Sequence, residues 1–309
     1  MQIEEKVSQA DLPSNVARHG KVPKLFRHCR CLLYWDWLLR FWTYFDTVPN
    51  GVAWLSCAGF YFGEGCYVIG SFAADDRSRI IDVPGNCMQD RYDWLVTFMY
   101  FLGDVCWLPA VVCLTLEAIN RDYQDRVDKW TSSNSHEAPP RYRWFGLYWW
   151  SLEWWGAVSY ASGVFGYLTA STTDIIHDCV YIDSTVLVWL TAYTNMGAGI
   201  LFFLAGVFYA MDAVSIWLLP AILLPYRRKD WTSVTWWVTW LHFWGGACFL
   251  MTGIMQYWRN NIRQSISEDA YLVQQSIGWG FGSLLFHVGG WIALARQSHL
   301  RYFPKAAKP

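Results

Sequence analysis

The sequence predicts an all-α polytopic membrane protein with six transmembrane helices arranged as three tandem helical hairpins. Three observations lead to this prediction. The 309-residue chain is 54% hydrophobic but only 16% charged, whereas a soluble domain carries about 25% charged residues. Six apolar stretches are long enough to cross a bilayer, which takes about 20 residues. Lys and Arg are distributed very unevenly among the segments that join these stretches.

The apolar stretches divide the chain into a membrane domain and two flanking segments. The expected spans are residues 51–74, 94–116, 145–170, 185–211, 233–257 and 274–295. They form a membrane domain over 51–295, with hairpins at about 51–116, 145–211 and 233–295. Residues 1–50 are an N-terminal segment with an interfacial helix expected at about 32–45, and residues 296–309 are a tail. Because residues 1–30 lack an apolar core, no cleaved signal peptide is expected.

The basic residues predict the orientation of the chain. The N-terminal segment, the second and fourth loops and the tail hold 19 Lys and Arg, and the other three loops hold five. Since Lys and Arg are enriched in cytoplasmic segments, both termini are expected in the cytoplasm, with the plasma membrane or an endomembrane as the location. The net charge of −1 gives no indication of nucleic-acid binding, so the lipid bilayer is the expected partner.

Two of the nine cysteines are informative under this topology. Cys87 and Cys179 fall in loops on the non-cytoplasmic side, which is oxidising in the cell exterior and the endomembrane lumen. The sequence therefore predicts a Cys87–Cys179 disulfide that joins the first and third loops. Two free thiols are the alternative.

Tryptophan is unusually frequent, with 22 residues. Most lie near the ends of the expected spans, where the indole ring stays in the apolar zone and its N–H stays hydrated. This placement is typical of an interfacial belt. A tryptophan-lined ligand cage is the alternative for Trp154, Trp155 and Trp244, which lie deeper in their spans.

A spacing of small residues indicates an internal repeat. The first helix of each expected hairpin carries a Gly, a large residue four positions later and a Gly three positions further. The three sets are Gly63/Tyr67/Gly70, Gly156/Tyr160/Gly163 and Gly246/Leu250/Gly253. Small residues let membrane helices approach closely. The pattern predicts a parallel three-fold repeat whose glycine faces pack helices together, within the chain or in a homo- or hetero-oligomer. The general frequency of Gly in membrane helices is the alternative explanation.

One of these segments resembles a known family. The segment from Tyr67 to Phe72, with Gly70-Ser71 at its centre, resembles the F-x-x-G-S-x-x-F core of the YrhK-like membrane domain. The segment from Phe203 to Phe208 is a looser match. The resemblance implies a two-helix membrane unit in three tandem copies, and it implies no biochemical activity.

Two carboxylates near the centres of the first two spans are candidates for a proton or cation site. Glu64 and Asp104 lie in neighbouring antiparallel helices, and are expected at similar depth. Ionisable groups inside a membrane are costly and mark functional sites by default. Two carboxyls in a dry site would share a proton or hold a cation. In the alternative, each is protonated and bonded to a separate partner.

Further polar residues lie within the other expected spans. Glu153 and Asn195 are additional transport candidates, although pairing of Glu153 with Arg141 or Arg143 and an interhelical bond from Asn195 would explain both without function. His242 and His287 fall at one depth in the last hairpin. Two such histidines can ligate a haem axially, while separately hydrogen-bonded histidines are the alternative.

These residues lead to three expected functions. The first is transport of ions, protons or a small solute through the helix bundle. The second is a tetraspan-like scaffold that organises partners or lipids, and the third is a b-type haem electron carrier. No phosphate loop or zinc signature is present, so no enzymatic activity is expected and haem is the only cofactor considered.

Overall fold

The computed structural model describes residues 48–75, 88, 93–133, 138–214, 232–261 and 273–302. These residues form helices and loops, with no strand among them. The helices are α1 (Val48–Asp75), α2 (Phe98–Ile119), α3 (Tyr123–Ser132), α4 (Leu152–Cys179), α5 (Ser184–Val188), α6 (Thr194–Val214), α7 (Val234–Asn261) and α8 (Gly282–Tyr302). The expected interfacial helix at 32–45 lies outside the described residues.

The second helix of each hairpin begins with a π-helical segment. Asp93–Thr97 leads into α2, Trp189–Tyr193 joins α5 to α6, and Val273–Phe281 leads into α8. Such wider turns are frequent at functional sites. Two of these segments, those before α2 and α8, line a cavity.

Within the described residues, five helical segments are long and apolar enough to span a membrane. They are Val52–Ala74, Asp93–Ile119, Ser184–Ala213, Val234–Trp258 and Val273–Arg296. They correspond to five of the six expected spans. The remaining span, expected at 145–170, begins and ends later in the structure as α4. α4, which contains several Ser, Thr and Tyr residues, is not among the five.

The six long helices form a closed ring in chain order. α1 packs against α2, α2 against α4, α4 against α6, α6 against α7, and α7 against α8. α8 then packs against α1 and closes the ring. Each hairpin therefore contacts both of the other hairpins, and the inward faces of all six helices share one interior.

Aromatic side chains fill this interior. Each long helix contributes one ring to a set that we call the aromatic layer, and none of the six side chains is more than 3% exposed. Its members are Tyr67, Trp107, Tyr167, Phe202, Phe249 and Phe286. The ring centroids of Trp107 and Phe249, which come from opposite sides of the helix ring, are 6.2 Å apart. The layer therefore closes the axis of the bundle at this level.

Small residues make room for the aromatic layer. A Cβ atom at Gly163 would lie 2.6 Å from the ring of Phe202 on the partner helix of its hairpin. Gly63 meets Trp107, and Gly245 meets Phe286, in the same way. The contact that recurs in the three hairpins thus involves Gly63, Gly163 and Gly245. This differs from the register expected from the sequence, in which Gly156 and Gly246 were the equivalents of Gly63.

The other expected packing glycines contact helices of the same chain. Gly156 faces the ring of Tyr209 on α6, and Gly70 faces the ring of Tyr100 near the start of α2. Gly246 and Gly253 on α7 face the backbone of α6. These glycine faces are therefore occupied within the chain, in contrast to their alternative use as oligomer contacts.

Four glycines form the crossing of α6 and α7. Each helix contributes two of them, spaced seven residues apart. A Cβ at Gly199 would lie 2.8 Å from the carbonyl oxygen of Phe249, and one at Gly206 would lie 2.9 Å from the Cα of Phe243. Gly246 and Gly253 make the reciprocal contacts from α7. Because the neighbouring atoms are backbone atoms, this crossing has no room for larger residues.

Candidate functional site

Asp104 accepts a hydrogen bond at each of its two carboxyl oxygens. Its side chain is fully buried in α2. The hydroxyl of Tyr67 on α1 donates to its Oδ1 at 2.7 Å, and the hydroxyl of Ser171 on α4 donates to its Oδ2 at 2.6 Å. Three helices thus meet at this carboxyl. Hydrogen bonds of this kind compensate part of the cost of burying a polar group.

A polar cavity of about 290 Å³ lies beside this carboxyl. The cavity is lined by Tyr67 and Ser171, which donate hydrogen bonds to Asp104. Tyr100, Asp174 and Asn195 also line it. The π-helical segments before α2 and α8 also contribute to its wall. We call this side of the bundle the cavity end. The aromatic layer, through Tyr67 and Tyr167, forms part of the cavity lining.

Asn195, a transport candidate from the sequence, lies in the wall of this cavity. Its side chain is 8% exposed, and its amide nitrogen donates to Oε1 of Gln256 on α7 at 3.0 Å. The expected interhelical bond is therefore present, and it stands where a solute in the cavity would meet it.

Glu64 is also fully buried, but it has different surroundings from Asp104. It lies next to the hydroxyl of Ser283 on α8. Among the described residues, no hydrogen bond of standard geometry reaches either carboxyl oxygen or the Ser283 hydroxyl, and Ser283 is the polar side chain that faces Glu64. A buried carboxyl with so little hydrogen bonding is costly, and such a group is a candidate for proton exchange.

The two carboxyls therefore do not form the shared site that their expected depth indicated. Asp104 bonds towards α4, whereas Glu64 faces α8. Glu64 precedes Tyr67 by three residues on α1, and Tyr67 binds Asp104. The two groups are electrostatic neighbours, connected along one face of α1 rather than paired.

Glu153 belongs to a cluster of charges at the end of the bundle opposite the cavity. The guanidinium of Arg121, just after α2, lies 3.2 Å from Oε2 of Glu153 on α4 and 3.0 Å from Oδ1 of Asp212 on α6. The hydrogen bond that the Arg121 guanidinium donates to Asp212 raises the pKa of Arg121. Glu153 thus pairs with Arg121, whereas the sequence indicated Arg141 or Arg143. Arg143 instead contacts Asp122 at 3.2 Å.

The two histidines face different neighbours. His242 packs against the ring of Phe286 (5.0 Å) and against Gly289, and its Nε2 has no partner among the described residues. His287 stacks on Tyr61 (4.3 Å), and its Nδ1 donates to the carbonyl oxygen of Tyr61 at 3.0 Å. The close contact of His242 with Gly289 leaves no slot for a flat ring there. Among the described residues, no group of three or more His, Cys, Asp or Glu could hold a metal ion.

Sequence reasoning gave no functional role to Tyr160, which is buried, or to Tyr209, which is partly buried. The hydroxyls of Tyr160 and Tyr209 have no hydrogen-bond partner in the described part of the chain. Their rings stack at 5.8 Å with an interplanar angle of 22°. The available signal for Tyr160 was its position at the centre of the expected span 145–170, where a phenol has no interfacial water to bind. Tyr209 lies near the end of the expected span 185–211, so no such signal was available for it.

Cys179, at the end of α4, is disulfide-bonded, whereas Cys57, Cys66, Cys106, Cys113 and Cys248 are free. Its expected partner, Cys87, lies outside the described residues, so the pairing stays a prediction.

We expect non-reducing peptide mapping of the purified protein to recover the Cys179 peptide linked to the Cys87 peptide, because only these two cysteines are placed in oxidising loops by the basic residues. A Cys87→Ser variant should then leave Cys179 reactive towards a maleimide, while Cys57→Ser, at a free cysteine, serves as the control. A Cys179 peptide linked to Cys29 or Cys31 would refute the pairing and the topology behind it.

Comparison with known proteins gives no relative: no family model, no curated protein and no solved structure matches the chain. The YrhK-like resemblance remains an expectation from the sequence, and the functional argument depends on the geometry of the site.

Proposed function

We propose that this protein transports protons, ions or a small solute across a membrane, with Asp104 as the central exchange group. The observation that carries the proposal is the polar cavity whose wall contains both hydrogen-bond donors of this buried carboxyl. A solute in the cavity reaches Asp104 through two hydroxyls, and a carboxyl at the centre of a membrane domain has few other reasons to be retained.

In the membrane arrangement that we propose, all six long helices span the bilayer and both termini are cytoplasmic. α4 is 28 residues long and lies between α2 and α6, which are both long and apolar enough to cross. Phe165 on its outer face is 59% exposed, as expected for contact with lipid. The excess of Lys and Arg in the other loops then puts the cavity end on the non-cytoplasmic side.

We also infer that the three hairpins are copies of one unit. The supporting pattern is a small residue followed four positions later by a member of the aromatic layer, once in each long helix. The pairs are Gly63/Tyr67, Gly103/Trp107, Gly163/Tyr167, Ala198/Phe202, Gly245/Phe249 and Gly282/Phe286. A common ancestor for the three hairpins accounts for the closed ring and for the recurring π-helical segments.

The transport proposal is tested in liposomes that contain the full-length protein. Proton entry is followed with an enclosed pH dye, and entry of Na⁺ or K⁺ with ion-sensitive dyes. We expect Asp104→Asn to lower the transport rate by about tenfold or more, since an amide cannot exchange a proton or balance a cation. The matched control is Asp122→Asn, at a carboxylate outside the bundle whose Oδ2 lies 3.2 Å from Arg126. Wild-type liposomes without any flux, or an Asp104→Asn variant as fast as wild type, would refute the proposal.

The scaffold function is the second candidate, and the aromatic layer is the observation in its favour. Six rings that close the axis make a solid interior, as expected for a bundle that only holds its shape. The liposome experiment separates the two functions, because a scaffold gives no flux that depends on Asp104.

A further inference from the structure

We propose that the cavity beside Asp104 binds a small organic cation that carries N–H donors, an amine or a guanidine. This inference rests on the proposed function and names the class of solute that the bundle carries. The charges of the cavity wall, its aromatic rings and its unpaired hydrogen-bond acceptors all favour such a ligand.

The cavity has room for a molecule of this class. Its volume is about 290 Å³. Since water in the liquid takes about 30 Å³ per molecule, the cavity has the space of about ten waters, and an amine or guanidine with a short carbon chain is of that size. Residues from all three hairpins line it, so the site exists only in the closed ring of helices.

The charged groups of the wall favour a cation. Asp174 and Asp178 lie four residues apart on α4 and therefore on one face of that helix, and both line the cavity. Among the lining residues that the structure describes there is no Lys or Arg, and His177 is the one side chain that can become positive. A wall with more acidic than basic groups attracts cations and repels anions.

Four aromatic rings line the same space and contact one another. The ring centroid of Tyr67 is 4.9 Å from that of Tyr100 and 5.8 Å from that of Trp279. The centroid of Tyr167 is 5.3 Å from that of Trp279. The faces of such rings are partly negative and attract amine and guanidine cations, most strongly where water is displaced. The rings therefore favour an organic cation.

Unpaired acceptors in the wall favour a cation with N–H donors over a quaternary ammonium. Gln274 and Tyr167 line the cavity and are 3% and 1% exposed, and neither Oε1 of Gln274 nor the Tyr167 hydroxyl has a hydrogen-bond partner among the described residues. In contrast, the hydroxyl of Tyr100 donates to Oε1 of Gln275 at 3.2 Å, and two further hydroxyls of the wall donate to Asp104. A bound N–H group supplies the missing donor and recovers the cost of an unpaired buried oxygen.

Isothermal titration calorimetry of the full-length protein in detergent tests the site with three ligands of equal size and different charge. The n-butylguanidinium ion is permanently positive and carries N–H donors, n-butylurea is its neutral analogue, and hexanoate is an anion. We expect butylguanidinium to bind at least about tenfold more tightly than the other two, because its hydrogen bonds to the wall are charge-assisted.

Two variants connect this binding to the wall. Asp174→Asn removes one charge from an exposed side chain, and Gln274→Met removes the unpaired oxygen with little change in volume. We expect each to weaken butylguanidinium binding by about fivefold or more. The matched control is Asp122→Asn, at a carboxylate outside the bundle, which should bind as wild type does. Elution from a size-exclusion column and thermal unfolding report whether each variant is folded.

Uptake of radiolabelled butylguanidinium into liposomes separates this inference from the proposed function. Selective binding that weakens in both variants, together with uptake that depends on Asp104, supports the inference. Equal binding of butylurea or hexanoate, no binding of butylguanidinium, or wild-type affinity in either folded variant overturns the cation site. Entry of protons, Na⁺ or K⁺ that depends on Asp104, without butylguanidinium uptake, overturns the class of solute and leaves transport standing. Selective binding without flux of any of these species supports the cation site and refutes transport.

Discussion

We expect Phe202→Ala to lower the free energy of unfolding by about 3–5 kcal/mol, the usual cost of emptying a buried phenylalanine site. Phe202 is fully buried on α6 and contacts four other members of the aromatic layer: Trp107 (5.3 Å), Tyr167 (5.1 Å), Phe249 (5.6 Å) and Phe286 (5.9 Å). Because helix backbones hold these rings in place, the space left by the ring cannot close completely. Thermal unfolding in detergent measures the loss.

The same variant tests whether the layer seals the bundle. Since the layer closes the axis below the cavity, its removal should make Na⁺ or K⁺ enter liposomes faster than with the wild type. The control is Phe165→Ala, which removes the same ring from a side chain that is 59% exposed on α4. Equal losses of stability in the two variants would contradict the central role of the layer, and a tight Phe202→Ala bundle would contradict its role as a seal.

Gly199→Ala should lower the free energy of unfolding by about 1–3 kcal/mol, although alanine is the better helix former. The added Cβ would lie 2.8 Å from the carbonyl oxygen of Phe249 and 3.1 Å from the Cα of Leu250. Both atoms belong to the backbone of α7, so α6 and α7 must move apart to admit one methyl group. Since glycine allows the close approach of membrane helices that stabilises them, the whole crossing weakens.

Gly197→Ala is a matched control on the same helix, two residues earlier. A Cβ at Gly197 meets no atom within 4 Å, so only helix propensity acts, and the expected result is a gain of about 0.5–1 kcal/mol. Opposite signs for the two variants, measured by thermal unfolding in one detergent, support the packing of α6 against α7. Stabilisation of both variants would mean that α6 and α7 are farther apart than in the structure.

The positions of the buried carboxyls followed from the sequence, whereas their partners did not. Hydropathy puts Glu64 and Asp104 near the middle of two helices, and both are fully buried. The bond from Ser171 to Asp104 joins residues 67 positions apart. No local pattern predicts it, because it depends on α4 packing beside α2. Glu64 faces α8 for a similar reason: the ring closes between the first and last long helices.

The repeat, like the carboxyls, was predicted from the sequence only in part. Glycine spacing indicated that each hairpin packs through small residues, and such contacts are present. The register that recurs, however, involves Gly163 and Gly245 rather than Gly156 and Gly246. Which of several glycines on a helix faces its partner depends on the rotation of that helix, and this rotation follows from packing of the large aromatic rings.

The sequence by itself determined the helical class, the length and position of five apolar helices, and the burial of Glu64 and Asp104. These properties follow from local hydropathy and helix periodicity. Tertiary structure alone decided the closed ring, the aromatic layer, the cavity beside Asp104 and the pairing of Glu153 with Arg121. These features require residues from distant helices to meet, and the order in which the helices pack determines which residues do so.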